Sequence, residues 1–340
     1  MTRLTMTRSM TRFCRASAVF LALSAAPAAA QDDPTPDQMV DAIQNITGLH
    51  KGLRRNHGKG FCGEGAFKGD PAAAALTISP LFSGASLPVL FRFSIAGPNP
   101  EAADASPGLR GLALQITLPD GALHDTVMLN APVFAASTVR SFYEQLLAAA
   151  ADPATGKPDP DKLKAYFASH PDATPLRNWV KNHNPPPSYG DSPYYSVHAF
   201  KFIDAAKKGH WVKWRFEPRD GAQALSADEM AAAPHDFLED KLVERLRDGP
   251  VVWDMFVTLG EAGDPIDNPT LLWPSDRKEI RAGTLTLAKA GPAAAGTCED
   301  VMFDPNLLSA GIEASPDPIL AFRSPAYAVS FGRRLQEKGN

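Results

Sequence analysis

Alternating apolar and polar positions predict two groups of short β-strands along this chain. The first group lies between about residues 74 and 134 and reads AALTISPLF, LPVLFRFSIAG, LRGLALQITLP and LHDTVMLNAPVF. The second group begins after residue 195 and reads SVHAFKFID, HWVKWRFEP, VVWDMFVTLG and RAGTLTLAKA. Helices inserted among these strands predict an α+β fold with an antiparallel sheet or barrel. A doubly wound sheet would need a regular βα alternation, which the chain lacks.

Helical periodicity appears in four places. Residues 39–55 predict an opening helix, a second helix begins at 137, and residues 236–247 predict a polar amphipathic helix. The segment 311–335 predicts a C-terminal helix. Residues 152–194 are rich in Pro, Asp and Asn, and predict a long surface excursion with one short helix.

The C-terminal segment places Arg323, Tyr327 and Arg334 at offsets of four and seven residues, so in a helix they share one stripe. An arginine beside a phenol stabilises its phenolate. Tyrosine is one of the known axial ligands of haem iron. The alternative is a basic amphipathic helix with one packed aromatic residue, and the stripe by itself leaves both interpretations open.

The N-terminus predicts a cleaved signal peptide over residues 1–30 and a single domain over 31–340. Arginines precede a short apolar run, ASAVFLAL, and Ala28-Ala29-Ala30 offers small residues at a cleavage site. The apolar run is shorter than the roughly 20 residues that span a bilayer, which disfavours a membrane anchor. We therefore expect a periplasmic protein that is not bound to a membrane.

Composition and net charge limit the classes of binding partner that we expect. The formal net charge of −4 gives no reason to expect a nucleic acid or an anionic membrane as a partner. Cleavage of the signal would leave Cys62 and Cys298 as the two remaining cysteines. Their spacing matches no metal motif, and whether they form a disulfide stays open, because sequence cannot place their Cα atoms within reach.

A glycine-rich stretch around His57 is the second candidate site. Residues 54–67 read RRNHGKGFCGEGAF, and such glycines let the backbone approach a flat ligand closely. A neutral histidine can take a proton from a peroxide and return it to the departing oxygen. The spacing does not fit a phosphate-binding P-loop, and taken alone His57 fits a structural loop residue better than a catalytic one.

Eight short motifs in one order resemble the haem catalase family. Upstream of Tyr327 they are, in chain order, His57-Gly58-Lys59-Gly60, Arg92-Phe93-Ser94, Arg110-Gly111-Leu112-Ala113-Leu114, Asn130-Ala131-Pro132-Val133-Phe134, Ser196-Val197-His198-Ala199-Phe200, Trp273-Pro274 and Phe303-Asp304-Pro305. The run GIEASPD followed by Arg323 and Tyr327 resembles the proximal-ligand signature of that family. The resemblance covers about residues 50–335 and implies a catalase-like antiparallel β-barrel with inserted and C-terminal helices.

The resemblance implies a role for each matched residue. His57 corresponds to the distal catalytic histidine, Ser94 to the serine that orients it, and Tyr327 to the ligand of a haem b iron. The haem propionates would be held by Arg54, Arg92 and Arg334, and Phe142 would stack on the distal haem face. Arg323 would polarise the phenolate of Tyr327 and would itself be held by Asp317 and His198.

Three departures from the family pattern bear on activity. Leu129 stands where the family has its catalytic distal asparagine, so oxidation of H2O2 to O2 should suffer. Asn56 replaces a valine beside the distal histidine and should make that side more polar. Pro325 replaces an aromatic residue and should kink the helix that carries Tyr327. The chain also ends soon after Arg334, without the extensions of larger catalases, as in minimal catalase-related peroxidases.

These features predict a haem peroxidase that reduces H2O2 or organic hydroperoxides with small organic electron donors and has weak catalase activity. We expect a monomer or a small homo-oligomer. One alternative is a hydroperoxide isomerase of the allene oxide synthase type, which Leu129 disfavours because those enzymes keep the distal asparagine. Another is a non-enzymatic periplasmic haem-binding protein, which would not need the His57 motif.

Overall fold

The computed structural model describes residues 1–2 and 32–339, and residues from Asp33 onward form one compact unit. The expected signal peptide falls almost entirely outside the described residues. Within them the strands are β1 (Gly60–Gly69), β2 (Ser86–Ile95), β3 (Arg110–Thr117), β4 (Leu123–Leu129), β5 (Tyr194–Tyr195), β6 (Phe200–Ile203), β7 (Gly209–Pro218), β8 (Val251–Leu259), β9 (Glu279–Ala290) and β10 (Ile312–Ala314). The helices are α1 (Pro36–Gln44), α2 (Pro71–Ala74), α3 (Val139–Ala149), α4 (Pro160–Ser169), α5 (Thr174–Asn182), α6 (Ala227–Ala232), α7 (Leu238–Arg245) and α8 (Pro318–Lys338).

Eight of the strands close into an antiparallel barrel. The order is β7-β5-β4-β3-β2-β1-β9-β8, and a further pairing of β7 with β8 completes the circle. β6 pairs with the first residues of β7, and β10 pairs with β6. Closure leaves the barrel strands without free edges. The predicted α+β barrel with inserted and C-terminal helices is confirmed.

The barrel interior is filled by aromatic and branched side chains, and its outer face carries the chemistry. On β2, Phe91 and Phe93 are fully buried inside, whereas Arg92 and Ser94 point to the opposite face. Successive side chains of a strand alternate between faces, so this division follows directly from the sequence. Register then sets neighbours: Ser94 pairs with Gly111 of β3, and Arg92 pairs with Cys62 of β1.

Two sequence predictions about elements were wrong for identifiable reasons. The opening helix ends at Gln44 instead of continuing to residue 55, because Gly48 adopts a φ of 87° and turns the chain. The expected strand over 74–82 is instead the end of α2 and a 3₁₀ turn. Capping hydrogen bonds favour helical turns over a strand in that segment. Asp70 accepts from Ala72 N–H at 2.9 Å, and Ser79 caps the 3₁₀ turn.

Two further differences concern elements that the hydrophobic pattern of the sequence did not predict. The excursion after residue 152 contains two helices, α4 and α5, where one was predicted. β1 was read as a glycine-rich loop, yet it pairs with β2 and β9 along its length. Gly65 lies at a bulge where a Cβ would collide with the carbonyl oxygen of Thr286, so glycine is required for that strand to pair.

None of the described helices is both long and apolar enough to cross a membrane.

Candidate functional site

Helix α8 presents Tyr327 and Arg323 to a cavity on the outer face of the barrel. The two residues are one turn apart, and Arg323 Nη2 donates to the Tyr327 hydroxyl oxygen at 2.7 Å. The helix starts at Asp317, whose carboxylate accepts from Ile319 N–H at 2.8 Å and Leu320 N–H at 3.3 Å. This cap fixes where the helix begins and therefore which of its faces meets the barrel.

His198 and Asp317 form a buried pair behind α8. His198 Nδ1 lies 2.7 Å from Asp317 Oδ2, and both side chains are 1% exposed. Burial lowers the pKa of His198 in spite of this hydrogen bond. Sequence predicted that this pair would also hold Arg323, but in the described part of the chain Arg323 donates only to Tyr327. The His198 Nε2 atom is buried and has no partner there.

Pro325 does not interrupt the helix. α8 runs unbroken from Pro318 to Lys338, although Pro325 lies within it, two residues before Tyr327. Side-chain bonds brace the helix there: Ser324 Oγ donates to Asp304 at 2.6 Å, and Asn306 donates to the Leu320 carbonyl at 2.8 Å. We infer that these contacts hold the segment beside Pro325 and so the direction of Tyr327.

A second wall of the cavity carries a histidine in an unusual backbone conformation. His57 has a φ of 57°, the left-handed region, and its Nδ1 lies 2.9 Å from Ser94 Oγ. Asn56 Oδ1 accepts from the N–H groups of His57 at 3.0 Å and Gly97 at 2.9 Å. The side-chain oxygen of Asn56 therefore stabilises the turn that carries His57, a structural role that the sequence prediction of a more polar pocket missed.

Gly111 completes this wall, and sequence analysis had given it no role of its own. A Cβ at position 111 would lie 2.7 Å from Ser94 Oγ and 2.9 Å from both Cε1 and Nδ1 of His57. Contacts this short would force the histidine or the serine to move. Burial, together with nearby Arg92, Arg323 and Arg54, lowers the pKa of His57 to about 3. The imidazole is therefore neutral at neutral pH.

Three arginines, two of them buried and one half-buried, converge at one end of the cavity. Arg92 is 4% exposed, Arg334 is 2% exposed and Arg54 is half-buried. Burial lowers the pKa of each, and repulsion from neighbouring arginines adds to the effect at Arg92 and at Arg54, whose pKa falls to about 9. The Nε atom of each is buried without a hydrogen-bond partner among the described residues. Buried cations with unused donors indicate a site for a ligand with carboxylate groups.

The remaining lining is mainly apolar. The cavity has a volume of about 170 Å³ and is lined mostly by carbon atoms. Phe134 and Phe142 pack together there with ring centroids 5.2 Å apart, and Leu129 contributes to the same wall. The cavity therefore suits an apolar ligand with acidic groups near the arginines, with Tyr327 on one wall and His57 on another.

Comparisons with known proteins agree with this geometry. The family model described as Catalase matches residues 38–338. The chain is a member of the catalase family. It is 46% identical to a catalase-related peroxidase of Synechococcus elongatus over 89% of each protein. It is 34% identical to a catalase-related peroxidase of Mycolicibacterium paratuberculosis, over 87% of this chain and 93% of that protein.

Solved catalase structures share the fold. Catalase A from Saccharomyces cerevisiae aligns with a TM-score of 0.76 at 22% identity, over 83% of this chain and 61% of that chain. A bacterial catalase aligns with a TM-score of 0.77 at 21% identity, over 93% of this chain and 64% of the other. The catalase fold is therefore present here in a chain that spans about two thirds of those larger proteins.

The residues of this catalase-family cavity fit haem, on which the family depends. The two haem propionates need cations, and Arg54, Arg92 and Arg334 offer unused donors. The iron needs an axial ligand, and Tyr327 reaches the cavity beside Arg323. The apolar walls suit the porphyrin ring.

The structure also resolves the question left open for the cysteines. Cys62 and Cys298 form a disulfide with Cα atoms 5.4 Å apart, across 236 positions of sequence. Sequence reasoning gave no reason to place it near the cavity. Register could have offered a hint only after the fold was known, because Cys62 lies directly opposite Arg92.

Proposed function

We propose that this protein is a haem b-dependent peroxidase that reduces H2O2 or organic hydroperoxides with small organic electron donors and has weak catalase activity. The observation that carries the proposal is the placement of a neutral His57 and a Tyr327–Arg323 pair on the walls of one cavity, with three arginines at its end. Two relatives, 46% and 34% identical over most of both chains, are named catalase-related peroxidases, which supports it.

Haem, when bound, supplies the iron at which the peroxide O–O bond is cleaved. His57 moves the peroxide proton. With Nδ1 engaged by Ser94, Nε2 is the atom that takes the proton from one peroxide oxygen and returns it to the other. Since burial and the neighbouring arginines lower the pKa of His57 to about 3, its imidazole is neutral and able to accept a proton throughout the neutral pH range.

Tyr327 would hold the iron through its phenolate oxygen, and the Arg323 guanidinium would stabilise that anion. Leu129, Phe134 and Phe142 make the distal space apolar, which favours organic hydroperoxides and offers no side-chain amide at position 129 to a second peroxide. We also propose export to the periplasm through the N-terminal signal, and a monomer or small homo-oligomer.

The decisive experiment mixes purified haem-loaded protein with H2O2, and separately with cumene hydroperoxide, each with a chromogenic phenol donor. We expect donor oxidation with both peroxides and slow O2 release. His57→Ala should keep the haem absorption spectrum and lose about 10²–10⁴-fold in rate. Vigorous O2 release would indicate a true catalase, isomerised hydroperoxide would indicate an isomerase, and inertness to both peroxides would indicate a haem carrier. Each of those outcomes contradicts the proposal.

A further inference from the structure

The Cys62–Cys298 disulfide lies next to the three arginines of the cavity. Cys62 is on β1, and its cross-strand neighbour on β2 is Arg92. Cys298 lies in a segment of turns between β9 and β10 that has no strand or helix of its own at this point. Both cysteines are almost fully buried, and they pack with Phe303 in a small apolar cluster. The disulfide therefore attaches an irregular segment to the barrel.

That segment, Cys298–Val301, contacts all three arginines. Arg54 donates to the Val301 carbonyl at 2.7 Å and to the Cys298 carbonyl at 3.0 Å. Arg334 donates to the same Val301 carbonyl at 3.4 Å. The Glu299 carboxylate lies 3.7 Å from Arg92 Nε. Cys298, Glu299 and Val301 thus contact each of the three arginines proposed to hold the carboxylates.

The charges of Glu299 and the three arginines also indicate that this segment contributes to the carboxylate site. Three arginines exceed by one the charge of a ligand with two carboxylates. Glu299 supplies one negative charge beside Arg92, so the buried cluster carries a net charge of about +2 when Glu299 is ionised. The neighbouring Asp300 is engaged elsewhere, with Lys338 at 2.6 Å. A segment in this position matches the cluster to a dicarboxylate and limits the repulsion among the arginines.

We propose that the Cys62–Cys298 disulfide is a positioning element of this carboxylate site, so that the cavity reaches full affinity for a dicarboxylate porphyrin only when the disulfide is formed. The proposal rests on the haem-binding function proposed above. Reduction by dithiothreitol breaks the S–S bond, adds a proton to each sulfur and oxidises the reagent to its cyclic disulfide. The Cys298–Val301 segment then loses its covalent attachment, and the arginines lose their fixed acceptors. Haem loading would thus be favoured in an oxidising compartment.

The test measures binding rather than turnover. Haem-free oxidised protein is titrated with ferric protoporphyrin IX and, in parallel, with its dimethyl ester, which lacks the two negative charges. The same titrations are made on dithiothreitol-reduced protein and on the double variants Cys62→Ala/Cys298→Ala and Cys62→Ser/Cys298→Ser. We expect the diacid to bind about tenfold more weakly, or worse, without the disulfide. The affinity for the diester should stay within about twofold.

A matched control separates positioning from general loss of stability. Val89→Ala removes core packing inside the barrel, away from the arginines, and should affect the two ligands equally or not at all. If the double variants fail to fold, the reduced wild-type protein, checked by circular dichroism, provides the same comparison.

Two results would overturn this inference alone: equal diacid affinity with and without the disulfide, or equal losses for diacid and diester. If the oxidised wild-type protein bound neither porphyrin, the proposed function would fall together with the inference.

Discussion

Arg323 and Tyr327 lie one turn apart on α8, and the guanidinium donates to the phenol oxygen at 2.7 Å. This is the contact that turns an ordinary packed tyrosine into a candidate anionic ligand, because a cation adjacent to the oxygen stabilises the phenolate. The contact survives a proline between the two residues, since α8 is continuous from Pro318 to Lys338.

Loss of this cation should weaken haem retention. In Arg323→Leu the phenolate loses its partner, so we expect haem to transfer to excess apomyoglobin about tenfold faster or more. Arg323→Lys keeps the charge without the planar fork and should show a smaller effect. Tyr327→Phe should show a larger one. An unchanged transfer rate in Arg323→Leu would argue against ligation through Tyr327.

Gly111→Ala should impair turnover without unfolding the protein. The new methyl group would meet Ser94 Oγ at 2.7 Å and His57 at 2.9 Å, which displaces the hydrogen-bonded His57–Ser94 pair. A misplacement of about 1 Å can cost around 10²-fold in rate. Gly332→Ala on α8 is the matched control, because nothing lies within 4 Å of its Cβ. The donor-oxidation rate should fall only in Gly111→Ala, with unfolding midpoints measured alongside.

Leu129→Asn should raise O2 release from H2O2 relative to donor oxidation. The amide would offer a hydrogen bond to peroxide in a wall that is otherwise apolar, and a net gain of about 0.5–1.5 kcal/mol corresponds to a roughly two- to tenfold effect. Leu129→Ala enlarges the space without adding an amide. If Leu129→Ala raised O2 release as much as Leu129→Asn did, access and not hydrogen bonding would limit the wild-type protein.

The buried Asp125 should make stability depend on pH. Burial raises its pKa to about 7, although it accepts from Asp304 N–H at 2.8 Å and from Gln115 at 3.1 Å. The unfolded chain releases this proton near pH 4, whereas the folded protein holds it to about pH 7. The contribution of Asp125 to stability is therefore intact below about pH 4 and falls as pH rises towards 7.

Asp125→Asn removes that dependence. Urea unfolding should show the variant more stable than wild type at pH 8 and closer to it at pH 4.5. His124 has the opposite dependence, because burial lowers its pKa to about 3. The comparison is therefore made between Asp125→Asn and wild type at each pH, where His124 contributes equally. A variant less stable than wild type at pH 8 would contradict the expected direction.

Part of this molecule follows from local sequence. In LPVLFRFSIAG, Phe91 and Phe93 alternate with Arg92 and Ser94, so β2 had to place the phenylalanines on one face and Arg92 and Ser94 on the other. The stripe of Arg323, Tyr327 and Arg334 follows from helical spacing. β1 escaped prediction because its glycines carry little hydrophobic signal, and the need for them arises only from close contacts with segments that are distant in sequence, among them β2 and β9.

The chain by itself determined the β-rich pattern, the helix that carries Tyr327 and the identity of the polar residues that face the cavity. Tertiary structure alone decided which of them meet. It joined Cys62 to Cys298 across 236 positions, placed Glu299 beside Arg92, and set Gly111 against His57. It also paired His198 with Asp317 through a hydrogen bond that, among the described residues, does not extend to Arg323. These contacts depend on strand register and loop closure over long separations, which no periodicity within a segment can encode.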